Sequence, residues 1–295
     1  MPDRITSRRF CAVSVFVMSV LLNACDKTEP VDPAVASDAA ANQATDSGAA
    51  EPVAAAPQRE LVSEVLPYAE VDEELVYGYF VFPADMVTPL PAVIVIHDWY
   101  GLDDHRRDTA ARLAAEGYIV LAVDLFHGKT AGNPASARPL MQDVLENPEL
   151  ASANIRQAYE FVASVGGAPR IGVLGWSMGG GLALETAMLF SDELDAAVVY
   201  YGQVTDDETK LARITAPVLG LFAANDRGVT VDTVRAFEAA MSRLDKQHTI
   251  QIYPDVRHAF ANPKANAYDA AAAGDAWQRT VGFLAAQLAA DAGGD

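Results

Sequence analysis

Cysteine is nearly missing from this chain. Its 295 residues include only Cys11 and Cys25, both close to the N-terminus. Beyond residue 25 no thiol is available to pair, to oxidise, to hold zinc or to attack a substrate. A disulfide framework, a cysteine-based metal site and a cysteine nucleophile are therefore excluded there. Positive charge is also scarce: 21 Lys and Arg face 40 Asp and Glu, for a formal net charge of −19. So acidic a surface repels phosphate backbones, which argues against nucleic acid as a partner and against adsorption to anionic lipid through basic patches. Internal repeats are absent too. The apolar run from Ala12 to Leu22 is too short for a stable transmembrane helix.

That run follows Arg4, Arg8 and Arg9, and the combination reads as an export signal over residues 1–24. It ends in Leu22-Asn23-Ala24-Cys25, which resembles the bacterial lipobox. The resemblance implies a lipid on the Cys25 sulfur and a periplasmic protein that meets the membrane only through that anchor. Residues 25–58 are rich in Ala, Asp, Pro, Ser and Thr and hold almost no large apolar side chains. They cannot bury enough surface to fold, and read as a flexible tether reaching ~30 Å on average. One domain follows, over residues 59–290. Nothing in the sequence fixes an oligomeric state.

Within that domain, apolar β-like runs alternate with segments of helical period. Strands are expected at Leu75–Phe82, Ala92–Ile96, Tyr118–Val123, Ile171–Leu174, Asp195–Tyr200, Val218–Phe222 and Thr249–Tyr253. Helices are expected at Arg106–Glu116, Glu149–Val165, from Met178, and at Val231–Leu244. In a closing helix, Trp277, Val281, Leu284 and Leu288 share a face. This alternation predicts an α/β fold with a mostly parallel sheet covered by helices on both faces. Ligands bind such sheets at the carboxyl ends of the strands. Whether Ala131 to Asn147 forms a mobile lid is open at this stage.

After the Ile171–Leu174 strand comes Gly175-Trp176-Ser177-Met178-Gly179, a G-x-S-x-G sequence leading into a helix. A nucleophile on so sharp a turn needs small neighbours, because backbone passes close by. The turn lifts the hydroxyl above the sheet and aims the next amide, that of Met178, at the same point. Chance alone supplies the five-residue match in ~0.1 of chains this long; the strand-to-helix setting makes it informative. A serine hydroxyl needs a base, and the base an orienting acid, in the chain order Ser, Asp or Glu, His. His248 precedes its strand and so stands at the wrong edge, whereas His258 follows it. Asp226 follows the Val218–Phe222 strand and is the preferred acid; Asp255, on the histidine's own loop, is the runner-up. Asp206, Asp207 and Glu208 read as a solvated cluster.

A second oxyanion donor is expected after Ile96, in His97-Asp98-Trp99-Tyr100-Gly101-Leu102, with the Trp99 amide preferred. His97 is assigned packing or hydrogen bonding at the strand end. Trp99, Tyr100 and Trp176 are candidates for an apolar substrate wall, and core packing is an equal reading for Trp176.

Taken in order, the motifs resemble the dienelactone hydrolases, over roughly Val76 to Leu284. The resemblance rests on I-H-D-W-Y-G-L (96–102), V-D-L-F (123–126), G-W-S-M-G-G (175–180), A-N-D-R-G (224–228) and Y-P-D-V-R-H-A-F (253–260). It implies an α/β-hydrolase fold, a Ser177–Asp226–His258 triad and hydrolysis of a small ester or lactone, with neither metal nor organic cofactor. Ser177 replaces the family's typical cysteine, and Asp98 stands where dienelactone-cleaving members place a glutamate. Those members also bind a substrate carboxylate with two arginines. The corresponding stretches here carry His127, Gly128 and Lys129 in one case and Asn262 in the other. Lys129 and Arg257 are the available substitutes, and His127 enters as a pocket candidate. Thioester or amide hydrolysis by the same triad, and an idle binding lipoprotein, are the competing expectations.

Overall fold

The computed structural model describes residues 59–87 and 89–289. The expected export signal (1–24), the tether (25–58) and the lipid site Cys25 lie outside the described residues. Eight strands run in chain order: β1 (Leu61–Val71), β2 (Glu74–Pro83), β3 (Ala92–Ile96), β4 (Ile119–Val123), β5 (Ile171–Trp176), β6 (Ala196–Tyr200), β7 (Val218–Ala223) and β8 (His248–Tyr253). Between and after them come α1 (Asp104–Ala115), α2 (Pro134–Glu146), α3 (Pro148–Ser164), α4 (Met178–Leu189), α5 (Glu208–Leu211), α6 (Val231–Arg243) and α7 (Ala270–Leu288).

The strands form one sheet in the order β1-β2-β4-β3-β5-β6-β7-β8. From β4 to β8 all pairings are parallel, as the unbroken apolar runs predict. β3, β4 and β6 are buried at every position. Their side chains alternate between two cores. Ala92, Ile94 and Ile96 join one with Ile155 of α3, Leu184 of α4 and Phe237 of α6. Val93 and Val95 join the other with Leu113 of α1 and Leu284 of α7. The result is a helix–sheet–helix sandwich, the α/β-hydrolase architecture expected from the motifs.

Two elements depart from the sequence reading. β1 was not anticipated, and it pairs antiparallel with β2 through a two-residue turn at Asp72-Glu73, both at positive φ. That turn geometry usually draws Asn-Gly, so the hairpin carries no turn signature. The closing helix buries Ala272, Ala276, Thr280, Leu284 and Leu288. Trp277 and Val281 flank this stripe, half-buried, instead of leading it.

One feature of the strand order places the site. From β3 the chain steps outward to β4 and then returns past β3 to β5. The direction of winding reverses between β3 and β5, which lie paired with Ile96 opposite Gly175. The loops leaving their carboxyl ends diverge to opposite faces and open a crevice at that edge.

Candidate active site

Ser177 sits in this crevice, between β5 and α4, at φ 54° and ψ −115°. Such a backbone is strained for any residue with a side chain. Three constraints hold it. The Ser177 amide donates to the Tyr200 carbonyl at 2.9 Å, tying the turn to β6. A side chain on Gly175 would collide with the Gly179 carbonyl, and one on Gly179 with the carbonyls of Ile96 and His97. Both glycines of the motif are therefore required by close backbone approach.

The Ser177 Oγ lies 2.9 Å from His258 Nε2. On the other side of the ring, Nδ1 lies 2.6 Å from Asp226 Oδ2. With Nδ1 donating to the carboxylate, Nε2 is left as the acceptor facing the hydroxyl. The second carboxylate oxygen of Asp226 accepts the amides of Gly228 (2.8 Å) and Val229 (3.1 Å). Burial opposes ionisation of Asp226. The hydrogen bond and charge of His258, with those two amides, outweigh it and hold the carboxyl below the ordinary range. Asp255, the runner-up, is exposed and makes no such bond. His248 opens β8 and bonds the Lys246 carbonyl at 2.7 Å, far along the strand from the crevice. Asp207 caps α5, and Glu208 pairs with Arg243 at 2.7 Å.

On the loop after β3, Tyr100 N donates to Asp98 Oδ1 (2.9 Å) and Gly101 N to the Asp98 carbonyl (3.2 Å). The Trp99 amide, which precedes both donors, has no acceptor among the described residues. The Met178 amide opens α4, where the first N–H groups lack intrahelical acceptors and the helix dipole is positive. His97 is fully buried: one ring nitrogen meets the Asp98 carbonyl (2.7 Å) and the other accepts the Leu125 amide (3.0 Å). Desolvation drives its pKa down, against the backbone bond and the nearby carboxylates, so the ring is neutral.

Asp98 proves to be a buried hub. Its Oδ2 receives Arg106 at 2.6 Å and Asn262 at 3.3 Å, and Arg106 stacks 4.2 Å above the Trp176 ring. Asn262 Oδ1 in turn accepts the Lys264 amide. The hub joins the loop after β3 to the loop after β8.

Two connected hollows meet at Ser177 and His258. The smaller, about 250 Å³, is walled by Met141, Leu145, Met178, Gly181, Leu182 and Glu185. The larger, about 510 Å³, is walled by Asp98, Trp99, Tyr100, Pro134 and residues of the histidine loop. Tyr201 and Gln203 line both. Tyr201 is buried with its ring 5.1 Å from that of His258. Two pocket candidates need correcting. Trp176 is a core residue against Tyr200 and Arg106, on the other side of the sheet edge, and lines neither hollow. His127 stands 3.6 Å from Glu74 and lines a separate small hollow with Leu125 and Asn154. Lys129 lines neither, and Arg257 donates to the Asn266 carbonyl on the outer side of the histidine loop. The segment 131–147, whose lid role was open, holds helix α2, which supplies Pro134, Met141 and Leu145 to the walls. Tyr201, Gln203, Met141, Leu145 and Glu185 went unread in the sequence; only Tyr201 and Gln203, just past β6, stood where a strand end directs the search.

The sheet, the crevice at its winding reversal and the Ser–His–Asp relay above β5 define an α/β-hydrolase. Within that class, the chain belongs to the dienelactone hydrolase family, whose model matches residues 76–288, and so stands among the carboxylic ester hydrolases. It is 31% identical over 240 residues to a provisionally named carboxymethylenebutenolidase of Saccharolobus solfataricus, covering 69% of this chain and 92% of that one. It is 32% identical over 201 residues to protein usf of Aquifex pyrophilus, covering 66% and 87%. A solved structure of a provisionally assigned dienelactone hydrolase from Klebsiella pneumoniae superposes with a TM-score of 0.69 at 27% identity, covering 77% of this chain and 99% of that one.

Proposed function

We propose that this protein is a serine hydrolase that cleaves a carboxylic ester or lactone through an acyl-enzyme. The observation that carries this is the relay from Ser177 Oγ through His258 to Asp226, at 2.9 and 2.6 Å. Its spacing is that of a hydroxyl, a general base and an orienting carboxylate. His258 Nε2 takes the Ser177 proton as Oγ attacks the carbonyl carbon. The Met178 and Trp99 amides receive the oxyanion. As the intermediate collapses, His258 passes its proton to the leaving oxygen and the alcohol departs. Water then attacks the acyl carbon, with His258 again as base, and acid and free Ser177 result. No step calls for a metal or an organic cofactor.

The substrate on this reading is a small uncharged ester or lactone in preference to an anionic dienelactone. Carboxylate recognition works best with bidentate arginines. Here His127 and Lys129 lie away from the hollows, and Asn262 is committed to Asp98. Export and lipid anchoring through Cys25 belong to the same proposal; Cys25→Ala is expected to release the protein from the membrane fraction.

A fluorophosphonate probe is expected to label the intact protein at Ser177, with label and p-nitrophenyl butyrate hydrolysis both lost in Ser177→Ala. Labelling and hydrolysis that survive this substitution would rule the assignment out.

A further inference from the structure

The two hollows differ in what lines them. The smaller runs along α4 beneath α2, and its walls hold Met141, Leu145, Met178 and Leu182. Apart from His258 at its mouth, the one charged residue on its walls is Glu185, and neither lysine nor arginine lines it. Met178, Leu182 and Glu185 follow at helical spacing, so they share the α4 face that starts at Ser177. The larger is walled by the histidine loop, through Ala259, Asn262, Lys264, Ala265 and Asn266. Its one cation, Lys264, is paired with Asp103 at 2.9 Å.

The proposed mechanism orients a substrate across the two. The leaving oxygen must come within reach of His258 Nε2, so the leaving group is directed to the hollow that the histidine loop walls. The acyl carbon stays on Ser177, at the head of α4, and its chain is directed along Met178 and Leu182. At the end of that path stands Glu185. Its side chain is exposed at the outer end of the hollow, where partial desolvation still pushes its carboxyl upward, with Lys210 opposing.

We propose that the acyl chain occupies the hollow beneath α2, and that Glu185 makes it accept neutral or cationic chains and reject those ending in a carboxylate. This rests on the serine-hydrolase reading above and adds the acyl class to it. A second carboxylate brought near Glu185 would meet like charge, and the cation that acts on Glu185, Lys210, lies outside the walls of the hollow.

Three p-nitrophenyl esters test this: hexanoate, monoadipate and 6-aminohexanoate, which differ at the chain end. They are compared by kcat/KM at about pH 8, where an ordinary carboxyl is ionised, on protein counted by fluorophosphonate titration. The native chain is expected to favour hexanoate over monoadipate by about tenfold or more. Glu185→Gln should shrink that ratio several-fold and lower the relative rate of the aminohexanoate. Glu185→Lys should move both ratios further the same way. Equal rates on hexanoate and monoadipate, or ratios unmoved in both variants, would overturn the acyl assignment while leaving the serine-hydrolase reading intact. Native protein that neither takes the probe nor cleaves any of the three would bring down that reading, and this inference with it.

Discussion

The two walls of the crevice are held by different physics. On one side, the loops after β3, β5, β7 and β8 are fixed by charged and backbone hydrogen bonds. Asp226 takes three, and Asp98 joins Tyr100, Arg106 and Asn262. On the other side, α2 buries only Ala137 and Val144, and its Leu145 is 56% exposed. Short hydrogen bonds fix direction to a fraction of an ångström, whereas a thin apolar contact fixes only proximity. The reacting groups therefore stand on the rigid wall. Damage to the first should appear in kcat, and damage to the second in KM and chain preference.

The largest effects should follow from the relay. Ser177→Ala and His258→Ala are each expected to lower kcat by about 10⁴-fold or more. Asp226→Asn, which spares the shape and reverses the donor to the ring, should cost about 10³–10⁴-fold. Because the three act as a unit, the double variant Ser177→Ala/His258→Ala should be no worse than the worse single one. Additive losses in steady-state kinetics would break the picture of a single relay.

Next comes the hub. Asp98 and Arg106 form a buried pair, with side chains 8% and 2% exposed. Asp98→Asn keeps the outline but leaves the guanidinium uncompensated, at a cost of about 3–5 kcal/mol in denaturant unfolding. Removing both charges, as Asp98→Asn/Arg106→Met, should recover much of that loss. A double variant no more stable than Asp98→Asn would mean that Arg106 contributes chiefly through its stacking on Trp176 and not through its charge.

The rigid wall also holds a pH limit. His97 is buried and neutral, with its pKa driven down by desolvation. Asp98, Asp124, Arg106 and the Phe126 ring face it. An unfolded histidine takes up a proton near pH 6.5, and the folded one does so only at lower pH. Between these values the unfolded state binds more protons, so stability falls as pH falls. His97 should contribute up to about 1.4 kcal/mol per pH unit to that loss. Melting temperatures measured from pH 7 to 5 should fall less steeply in His97→Gln, which can still bond on both sides. Equal slopes would assign the acid sensitivity to other groups.

The contrast between the walls also explains what could be read from the sequence. Apolar strands carry their own signature, so β3 to β8 were visible, and the strand-end rule led to Ser177, Asp226 and His258. The β1–β2 hairpin was hidden because Asp72-Glu73 is not a typical turn pair. Trp176 was ambiguous because a residue beside the nucleophile points either into the crevice or under it, and only the packing of Arg106 and Tyr200 decides. Asp98 and Arg106 are eight residues apart with no spacing rule to join them, and Asn262 lies 164 residues from Asp98. The Met141 and Leu145 wall depends on where α2 comes to rest, which tertiary packing sets and no local pattern encodes.

That wall gives the smallest of these effects and the sharpest test of the comparison. Half-buried Met141 touches both hollows from a largely exposed helix. Met141→Ala removes apolar contact from the acyl chain and leaves the relay alone. With p-nitrophenyl hexanoate, KM should rise about three- to tenfold, and kcat should hold within about twofold, since binding is lost equally in the ground and transition states. With the acetate ester, whose acyl group is too short to reach Met141 and whose leaving group alone still meets it, KM should rise less than with hexanoate and kcat should again hold. The melting temperature should move little, because α2 buries so little of itself. If kcat on hexanoate instead fell as far as KM rose, α2 would be helping to position the reacting carbonyl, and the division between a wall for chemistry and a wall for selection would fail at its closest point.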